Sequence, residues 1–159
     1  MIDNKIHRVY VDTSVVGGNF DPEFDWQTEP FWNAVRDGKI CVIVSDLLRG
    51  ELASAPPVVR DFFQEILVLY DIEYVQLTQE VEALAEKYIS EKVIGESSLD
   101  DARHIALASI VRADVLVSWN FKHIVNVRRI RGYNSVNHRL GYPMIDIRTP
   151  SEVMDYEDE

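Results

Sequence analysis

Short apolar segments recur along the chain, and longer segments with helical patterns separate them. Five have the β-branched, apolar composition of strands: RVYV before Asp12, CVIV before Ser45, YVQL near Val75, DVLVSW before Asn120 and PMIDI near Ile145. Helical patterns occur in residues 29–36, 47–53, 58–69, 79–91, 99–112 and 122–130. Strands that are apolar on both faces and alternate with helices predict an α/β fold with a mainly parallel sheet of about five strands.

Length and composition predict one globular domain. The chain has 159 residues, and no internal repeat or linker divides it, so we expect a single domain over residues 1–155 and an unstructured acidic tail over residues 156–159. A lone cysteine, Cys41, cannot form an internal disulfide, which favours a reducing compartment. Neither a signal-peptide pattern nor an apolar run of membrane-spanning length is present, so we expect a cytoplasmic protein without a membrane segment.

Four oxygen-bearing side chains are predicted to meet at one edge of this sheet. Asp12 directly follows a strand, Glu51 lies early in the helix after the next strand, and Asn120 ends a third strand. Asp101 lies in the first turn of a helix that runs back from the same edge. In open parallel sheets the ligand crevice lies beyond the carboxyl ends of the strands, so this edge is the expected functional site.

Clustered carboxylates favour a bound cation. Without a counter-ion they repel one another and lose hydration, and oxygen-only ligands favour Mg²⁺ or Mn²⁺ over zinc. Such an ion can orient and activate a water molecule and stabilise the charge on a phosphodiester. The pattern therefore predicts metal-dependent phosphodiester hydrolysis.

Each of these residues also has a simpler interpretation. Asp12 is suited to a turn after a strand, and Glu51 is suited to a solvated helix surface. Asp101 stands three places after Ser98, which is the spacing of a capping box. His104, three residues after Asp101, either orients a carboxylate or is a buried histidine with satisfied hydrogen bonds, and the second role is the more common one.

The charge of the chain is unevenly distributed. The net charge is -11, yet residues 115–145 contain five Lys or Arg residues and no Asp or Glu. This segment is either a solvated basic surface or a track for an RNA backbone. Tyr133 lies in residues 133–141, which we expect to form a mobile loop where bases can stack, while Trp119 is expected in the core. The predicted RNA-binding residues are Lys122, His123, Arg128, Arg129, Arg131 and Arg139.

Four motifs in this order resemble the PIN-domain family, which includes the toxin ribonucleases of bacterial VapBC toxin-antitoxin pairs. They are VYVDTS at the first strand, SDLLRGEL in the glutamate helix, DDARHIALA in the acid-headed helix, and ADVLVSWNFKHIVN at the fourth strand and its turn. The resemblance spans most of the chain. It implies a three-layer α/β/α sandwich and a Mg²⁺- or Mn²⁺-dependent endoribonuclease. It also implies an antitoxin protein as a partner and a homodimer.

The same resemblance assigns roles to individual residues. Asp12, Glu51 and Asp101 match the three main acids of the family, and Ser14 matches the small polar residue that supports the first. Asn120 stands where many members have Asp, which lowers the charge of the site and puts a second metal ion in doubt. Asp100 is a candidate for the missing charge, but adjacent helical residues point about 100° apart.

Two functions follow as the main hypotheses. The first is hydrolysis of RNA, with Asp12, Glu51, Asp101 and Asn120 as catalytic and metal-binding residues and Ser14, Asp100 and His104 as supporting residues. The second is a non-catalytic module of the same fold that binds RNA or protein and has a weakened metal site. The chain lacks a Gly-rich phosphate loop, so no nucleotide cofactor is expected, and phosphoryl transfer through Asp12 has little support.

Overall fold

A central sheet of five parallel strands organises the molecule. The computed structural model describes residues 8–155, so the predicted acidic tail lies outside the described residues. The strands follow the spatial order β3-β2-β1-β4-β5, and every neighbouring pair is parallel. They span Arg8–Val11 (β1), Cys41–Ser45 (β2), Ile72–Val75 (β3), Val115–Val117 (β4) and Ile147–Arg148 (β5).

Eight α-helices and one 3₁₀ helix connect the strands within residues 8–155. The 3₁₀ helix spans Glu96–Ser98 and leads directly into the sixth α-helix. The α-helices are Thr13–Gly18 (α1), Asp25–Arg36 (α2), Asp46–Leu52 (α3), Pro57–Leu69 (α4), Gln79–Ser90 (α5), Leu99–Ile110 (α6), Val127–Leu140 (α7) and Pro150–Asp155 (α8).

Alternation along the strands divides the core into two halves. In β1, Val9 and Val11 belong to a core cluster with residues of α1, α2, α3, α4 and α8, whereas Tyr10 belongs to a second cluster with α5, α6 and α7. Neighbouring side chains of a strand point to opposite faces, so helices cover both faces of the sheet. The predicted α/β/α sandwich with a parallel sheet is therefore confirmed.

The strand order brings the chemically interesting segments to one edge. β1 is the central strand, and β2 and β4 flank it in parallel. The residues after these three strands begin at Asp12, Asp46 and Ser118, and they share the carboxyl edge because the strands run in the same direction. α6 packs on α5 and leads into β4. Because β4 begins at the opposite edge, the first turn of α6 lies at the carboxyl edge.

The helix after β4 lies further along the chain than the pattern predicts. The predicted helix over residues 122–130 is a turn followed by α7, which continues to Leu140. Asn126 caps it by accepting a hydrogen bond from the N–H of Arg129 at 3.2 Å, and Gly141 ends it in the left-handed conformation, with φ of 81°. The expectation of a mobile loop over residues 133–141 is wrong, and Tyr133 is fully buried.

Two short helices and the start of α2 were not predicted. α1 and α8 have six residues each, too few for an amphipathic pattern to stand out. α2 begins at Asp25 although Pro30 lies inside it, whereas a proline is more common in the first turn of a helix. Tertiary packing decides these boundaries, because Phe31, Trp32 and other α2 residues are buried against the sheet.

Asn137 is a buried polar residue that joins three parts of the second core. Its Oδ1 accepts a hydrogen bond from the Tyr88 hydroxyl at 2.5 Å, and its Nδ2 donates to Ser109 Oγ at 2.9 Å and to the carbonyl of Pro143 at 3.1 Å. Buried polar groups are costly when their partners are removed. The network therefore fixes α7 against α5 and α6.

We expect Asn137→Ala to lower the free energy of unfolding by roughly 2–4 kcal/mol, because it removes three hydrogen bonds that join α7 to the rest of the second core. Urea denaturation followed by circular dichroism measures this change. Ser135→Ala, at an exposed position of the same helix, is the matched control and should change stability by less than about 0.5 kcal/mol. Equal effects of the two substitutions would contradict the structural role of Asn137.

Candidate active site

Asp12 lies at the centre of the site and is almost fully buried. It follows β1 directly, and its side chain is 4% exposed. Its Oδ1 accepts a hydrogen bond from the Ser14 hydroxyl at 2.6 Å, and its Oδ2 accepts one from the Ser118 hydroxyl at 2.6 Å. Each oxygen of the buried carboxylate therefore has a hydroxyl donor, and Ser14 contacts Asp12 directly as predicted for a supporting residue.

The two serines also join the end of β4 to the start of α1. Ser14 Oγ accepts a hydrogen bond from the N–H of Trp119 at 2.9 Å, and Ser118 Oγ accepts one from the N–H of Asn120 at 2.9 Å. Each hydroxyl thus accepts from the backbone and donates to Asp12. The Asp12 carboxylate therefore fixes the segment after β4 as well as being held by it.

Glu51 reaches the same region from the last turn of α3. Its Oε1 accepts a hydrogen bond from the Thr13 hydroxyl at 2.9 Å and contacts His104 Nε2 at 2.5 Å. Thr13 is the neighbour of Asp12, so Glu51 lies beside the first acid. The structure brings these two predicted site residues together.

His104 combines the two roles that the sequence left open. It is 2% exposed, and its Nδ1 lies 2.7 Å from the hydroxyl of Tyr10, so it is a buried histidine with satisfied nitrogens. Its Nε2 also contacts the Glu51 carboxylate, so it orients an acid of the site. These contacts are possible because α6 packs on the face of β1 from which Tyr10 projects.

Asp101 lies in the first turn of α6 and is paired with a histidine from the segment after β4. Its Oδ2 is 3.1 Å from Nδ1 of His123. The predicted capping box is not formed, because Ser98 makes no side-chain bond to the helix and its Oγ instead lies 3.3 Å from the same histidine nitrogen. The Asp101 carboxylate is thus held by His123.

Asn120, which the sequence predicts to be a metal ligand, has its side-chain oxygen engaged within its own turn. Its Oδ1 accepts hydrogen bonds from the N–H groups of Lys122 at 3.2 Å and His123 at 2.9 Å. An amide oxygen has two lone pairs, and both are engaged in this turn. The bonding favours a positioning role, in which Asn120 holds the turn that directs His123 toward Asp101.

The carboxylates of the site influence each other electrostatically. Burial raises the pKa of Asp12 above its usual value, His104 and the hydrogen bonds from Ser118 and Ser14 oppose this increase, and Asp101 adds to it. Burial also raises the pKa of Asp101, which the hydrogen bond from His123 opposes. One buried and one partly buried acid, which repel each other, and two histidines that compensate for them therefore share one edge of the sheet.

The donor chemistry of this edge fits a hard divalent cation. Asp12, Glu51 and Asp101 supply carboxylate oxygens only, and burial of Asp12 and Asp101 favours a positive partner. Within residues 8–155, however, no group of three or more His, Cys, Asp and Glu side chains is arranged closely enough to hold an ion as it stands. Glu51 and Asp101 are instead engaged by His104 and His123.

Other predicted residues lie farther from this centre. Asp100 is paired with Arg103 at 2.8 Å and is exposed, which leaves it on the outer side of α6. Arg129 donates to the carbonyl groups of Val93 at 2.6 Å and Lys122 at 3.1 Å, and Arg139 is paired with Glu91. Lys122, Arg128 and Arg131 are exposed.

Sequence reasoning missed Tyr10, Thr13 and Ser118 as site residues. Thr13 and Ser118 each follow a strand at the carboxyl edge, so their position was a usable signal. Tyr10 gave no such signal, because a tyrosine within an apolar strand normally indicates core packing. Its hydroxyl contacts His104 only because the sheet places β1 beneath α6.

The fold is similar to that of solved structures of VapC-type proteins, which agrees with the PIN-like fold predicted from the sequence. Three solved structures share it: VapC20 of Mycobacterium tuberculosis, described as a toxin that cleaves the sarcin-ricin loop, VapBC2 of Rickettsia felis bound to a DNA fragment from its promoter, and FitAcB of Neisseria gonorrhoeae. No protein-family model matches the sequence, and no curated protein matches it significantly.

These similarities extend over most of each chain but rest on few identical residues. VapC20 is 15% identical, with a TM-score of 0.55, and the alignment covers 72% of this chain and 92% of that one. VapBC2 is 12% identical, with a TM-score of 0.57 and coverage of 89% and 98%. FitAcB is 14% identical, with a TM-score of 0.56 and coverage of 89% and 97%. At identities this low, the similarity establishes the fold alone.

The helices of the structure are those of a sandwich around a sheet. No helix formed by the described residues is both long enough and apolar enough to cross a membrane.

Neutralising the central acid should stabilise the metal-free protein. The pKa of Asp12 is higher in the folded state than its usual value, so the ionised carboxylate lowers stability at neutral pH, and this loss disappears as the pH falls through the raised pKa toward the unfolded value. We expect Asp12→Asn to raise the Tm at pH 7, with a shift of about 2–4 °C for each kcal/mol gained.

Thermal unfolding in excess chelator at pH 7 and at pH 4 measures this difference. The rise in Tm caused by Asp12→Asn should be smaller at pH 4, where the carboxyl group of Asp12 in the wild type is more protonated. Asp61→Asn, at an exposed position of α4, is the control and should show no such trend. A Tm difference between Asp12→Asn and the wild type that is the same at pH 7 and at pH 4 would contradict the assignment of Asp12 as a buried, costly charge.

Proposed function

We propose that this protein is a metal-dependent endoribonuclease that hydrolyses RNA phosphodiester bonds. The observation that carries the proposal is the convergence of Asp12, Glu51 and Asp101, from three separate segments, at the carboxyl edge of a PIN-domain sheet. The fold supports it, because VapC20, which shares the fold, is described as a toxin that cleaves the sarcin-ricin loop. RNA is accordingly the proposed substrate.

The three carboxylates are the proposed holders of a Mg²⁺ or Mn²⁺ ion. When bound, such an ion supplies positive charge for the phosphodiester and lowers the pKa of water. Ser14 and Ser118 hold the Asp12 carboxylate in place, and Thr13 and His104 do the same for Glu51. His123 holds Asp101 and is itself positioned by Asn120.

The exposed basic residues beside the site are the proposed contacts for the RNA backbone. Lys122 and Arg128 line a groove of about 620 Å³ together with Lys92 and Arg129, and Lys122 lies two residues after Asn120. Such a groove attracts phosphates that the acids alone would repel. Arg129 also stabilises the fold by binding the carbonyl of Val93.

The proposal also includes partners and setting. The structures of VapBC2 and FitAcB, which have a similar fold, support an antitoxin protein as a partner. A homodimer and a reducing, cytoplasmic location remain proposals from the family resemblance and from the single cysteine. The domain is proposed to extend over residues 1–155.

A non-catalytic PIN-like module that binds RNA or protein is the second candidate. Asn120 favours this candidate. It is an amide whose oxygen is engaged within its own turn, so the site offers three carboxylates where many members of the PIN-domain family have four. The two candidates differ in one measurable way. The module binds RNA equally well with and without divalent metal and does not cleave it.

We expect Asp101→Asn to lower the rate of RNA cleavage in Mn²⁺ by at least about 100-fold, because one of three charged ligands is lost. Asp100→Asn is the matched control, since the neighbouring acid is exposed and paired with Arg103. It should retain activity within about threefold. A mixed pool of structured RNAs, analysed by sequencing of the new ends, avoids dependence on one target. Cleavage by Asp101→Asn at the wild-type rate would contradict the site.

We expect the double substitution Lys122→Ala with Arg128→Ala to weaken RNA binding and make it less dependent on salt, since each lost phosphate contact reduces the slope by roughly 0.7 for single strands. Binding is measured by fluorescence anisotropy in chelator at several salt concentrations. Lys39→Ala with Arg60→Ala removes the same charge from exposed positions outside the groove. Equal weakening by both pairs would contradict a specific RNA track.

A further inference from the structure

A chain of buried hydrogen bonds connects the backbone of α3 to the Glu51 carboxylate. The N–H of Leu48 donates to Ser45 Oγ at 3.1 Å, and Ser45 Oγ lies 2.9 Å from the hydroxyl of Tyr10. The Tyr10 hydroxyl lies 2.7 Å from His104 Nδ1, and His104 Nε2 lies 2.5 Å from Glu51 Oε1. Ser45 and Tyr10 are fully buried and His104 is nearly so, which shields the chain from water.

The direction of this chain is decided by which of its hydrogen-bonding groups would be left without a partner. A backbone N–H can only donate, so Ser45 Oγ accepts from Leu48 and its own hydrogen is available for Tyr10. Tyr10 then donates to Nδ1 of His104, and the ring hydrogen remains on Nε2, where it donates to Glu51. In this direction every hydroxyl hydrogen and every acceptor in the chain has a partner.

The opposite direction leaves two groups without a partner. If Nδ1 of His104 donated to Tyr10, then Tyr10 would donate to Ser45, and the Ser45 hydrogen would have no acceptor among the contacts of the described residues. In a neutral ring, the lone pair of Nε2 would then face the Glu51 carboxylate at 2.5 Å, which is repulsive. Buried groups without partners are costly, so the first direction is preferred.

We infer that Tyr10 and Ser45 are positioning residues that fix the His104 tautomer and, through it, the orientation of Glu51. Burial raises the pKa of Tyr10 well above its usual value, which keeps its hydroxyl protonated as a donor. His104 and Thr13 both bind Oε1 of Glu51, so the two contacts that hold this carboxylate engage the same oxygen. The expected effect of Tyr10 on RNA cleavage rests on the proposed function, whereas the expected tautomer of His104 does not depend on it.

The hydroxyl of Tyr88 provides a matched control. Tyr88 is a fully buried tyrosine in the same core half as Tyr10, and its hydroxyl bonds to Asn137 instead of to His104. Tyr88→Phe therefore removes a buried hydroxyl and its hydrogen bond without touching the chain to Glu51. Any effect shared by the two variants reflects stability alone.

The decisive experiment is long-range ¹H–¹⁵N correlation spectroscopy of the histidine rings near neutral pH in metal-free protein. The chain has four histidines, and single substitutions to Gln assign His104. We expect the ring hydrogen of His104 on Nε2 and none on Nδ1 in the wild type and in Tyr88→Phe. In Tyr10→Phe, we expect the Nδ1 signal to move because its donor is gone. A wild-type ring with hydrogen on Nδ1, or an unchanged spectrum in Tyr10→Phe, would overturn the inference.

A second measurement separates positioning from a structural role. We expect Tyr10→Phe to lower kcat for RNA cleavage about tenfold at unchanged KM, and Tyr88→Phe to change neither by more than about twofold. Equal losses in the two variants would overturn the positioning role. If the wild type does not cleave RNA, the proposed function fails while the spectroscopic result still decides the tautomer.

Discussion

The buried carboxylate of Asp12 is the constraint on which the rest of the site depends. It ends the central strand, where helices cover both faces of the sheet and little water can reach it. A charge in such a place requires donors, and the hydroxyls of Ser14 and Ser118 supply them. The same hydroxyls accept the backbone N–H groups of Trp119 and Asn120, so the charge at the end of β1 also orders the segment after β4.

The other two acids are positioned by the same logic, with histidines in place of serines. His104 extends from α6 to Glu51, and His123 extends from the turn after β4 to Asp101. A histidine can compensate for a carboxylate by donating a hydrogen bond to it. Two acids that are engaged by histidines and a third that is fixed by hydroxyls thus lie at the edge of the sheet where we propose that a divalent cation binds.

The sequence predicted the sheet and the acids more accurately than the supporting residues. Strand composition and alternation with helices were sufficient for the parallel sheet, because runs such as CVIV are apolar on both faces. Asp12, Glu51 and Asp101 could be placed at one edge since each lies at a fixed distance from a strand end or a helix start. These features are local, and local patterns are visible in a sequence.

The remaining features depend on contacts between distant segments. Tyr10 and His104 are 94 residues apart and meet only through the packing of α6 on β1. The polar segment around Asn137 resembles a loop, yet it is helical because Asn137 has three buried partners in the folded chain. Asn120 resembles a metal ligand by position, whereas its oxygen is engaged by the backbone of its own turn.

The central claim is that carboxylates from three separate segments form one site for a divalent cation. A calorimetric titration of metal-free protein with Mn²⁺, with and without RNA, tests it most directly. The account predicts binding by the wild type that is lost in both Asp12→Asn and Asp101→Asn, each shown to be folded. Absence of binding up to millimolar Mn²⁺ under both conditions, or undiminished binding by either variant, would contradict it.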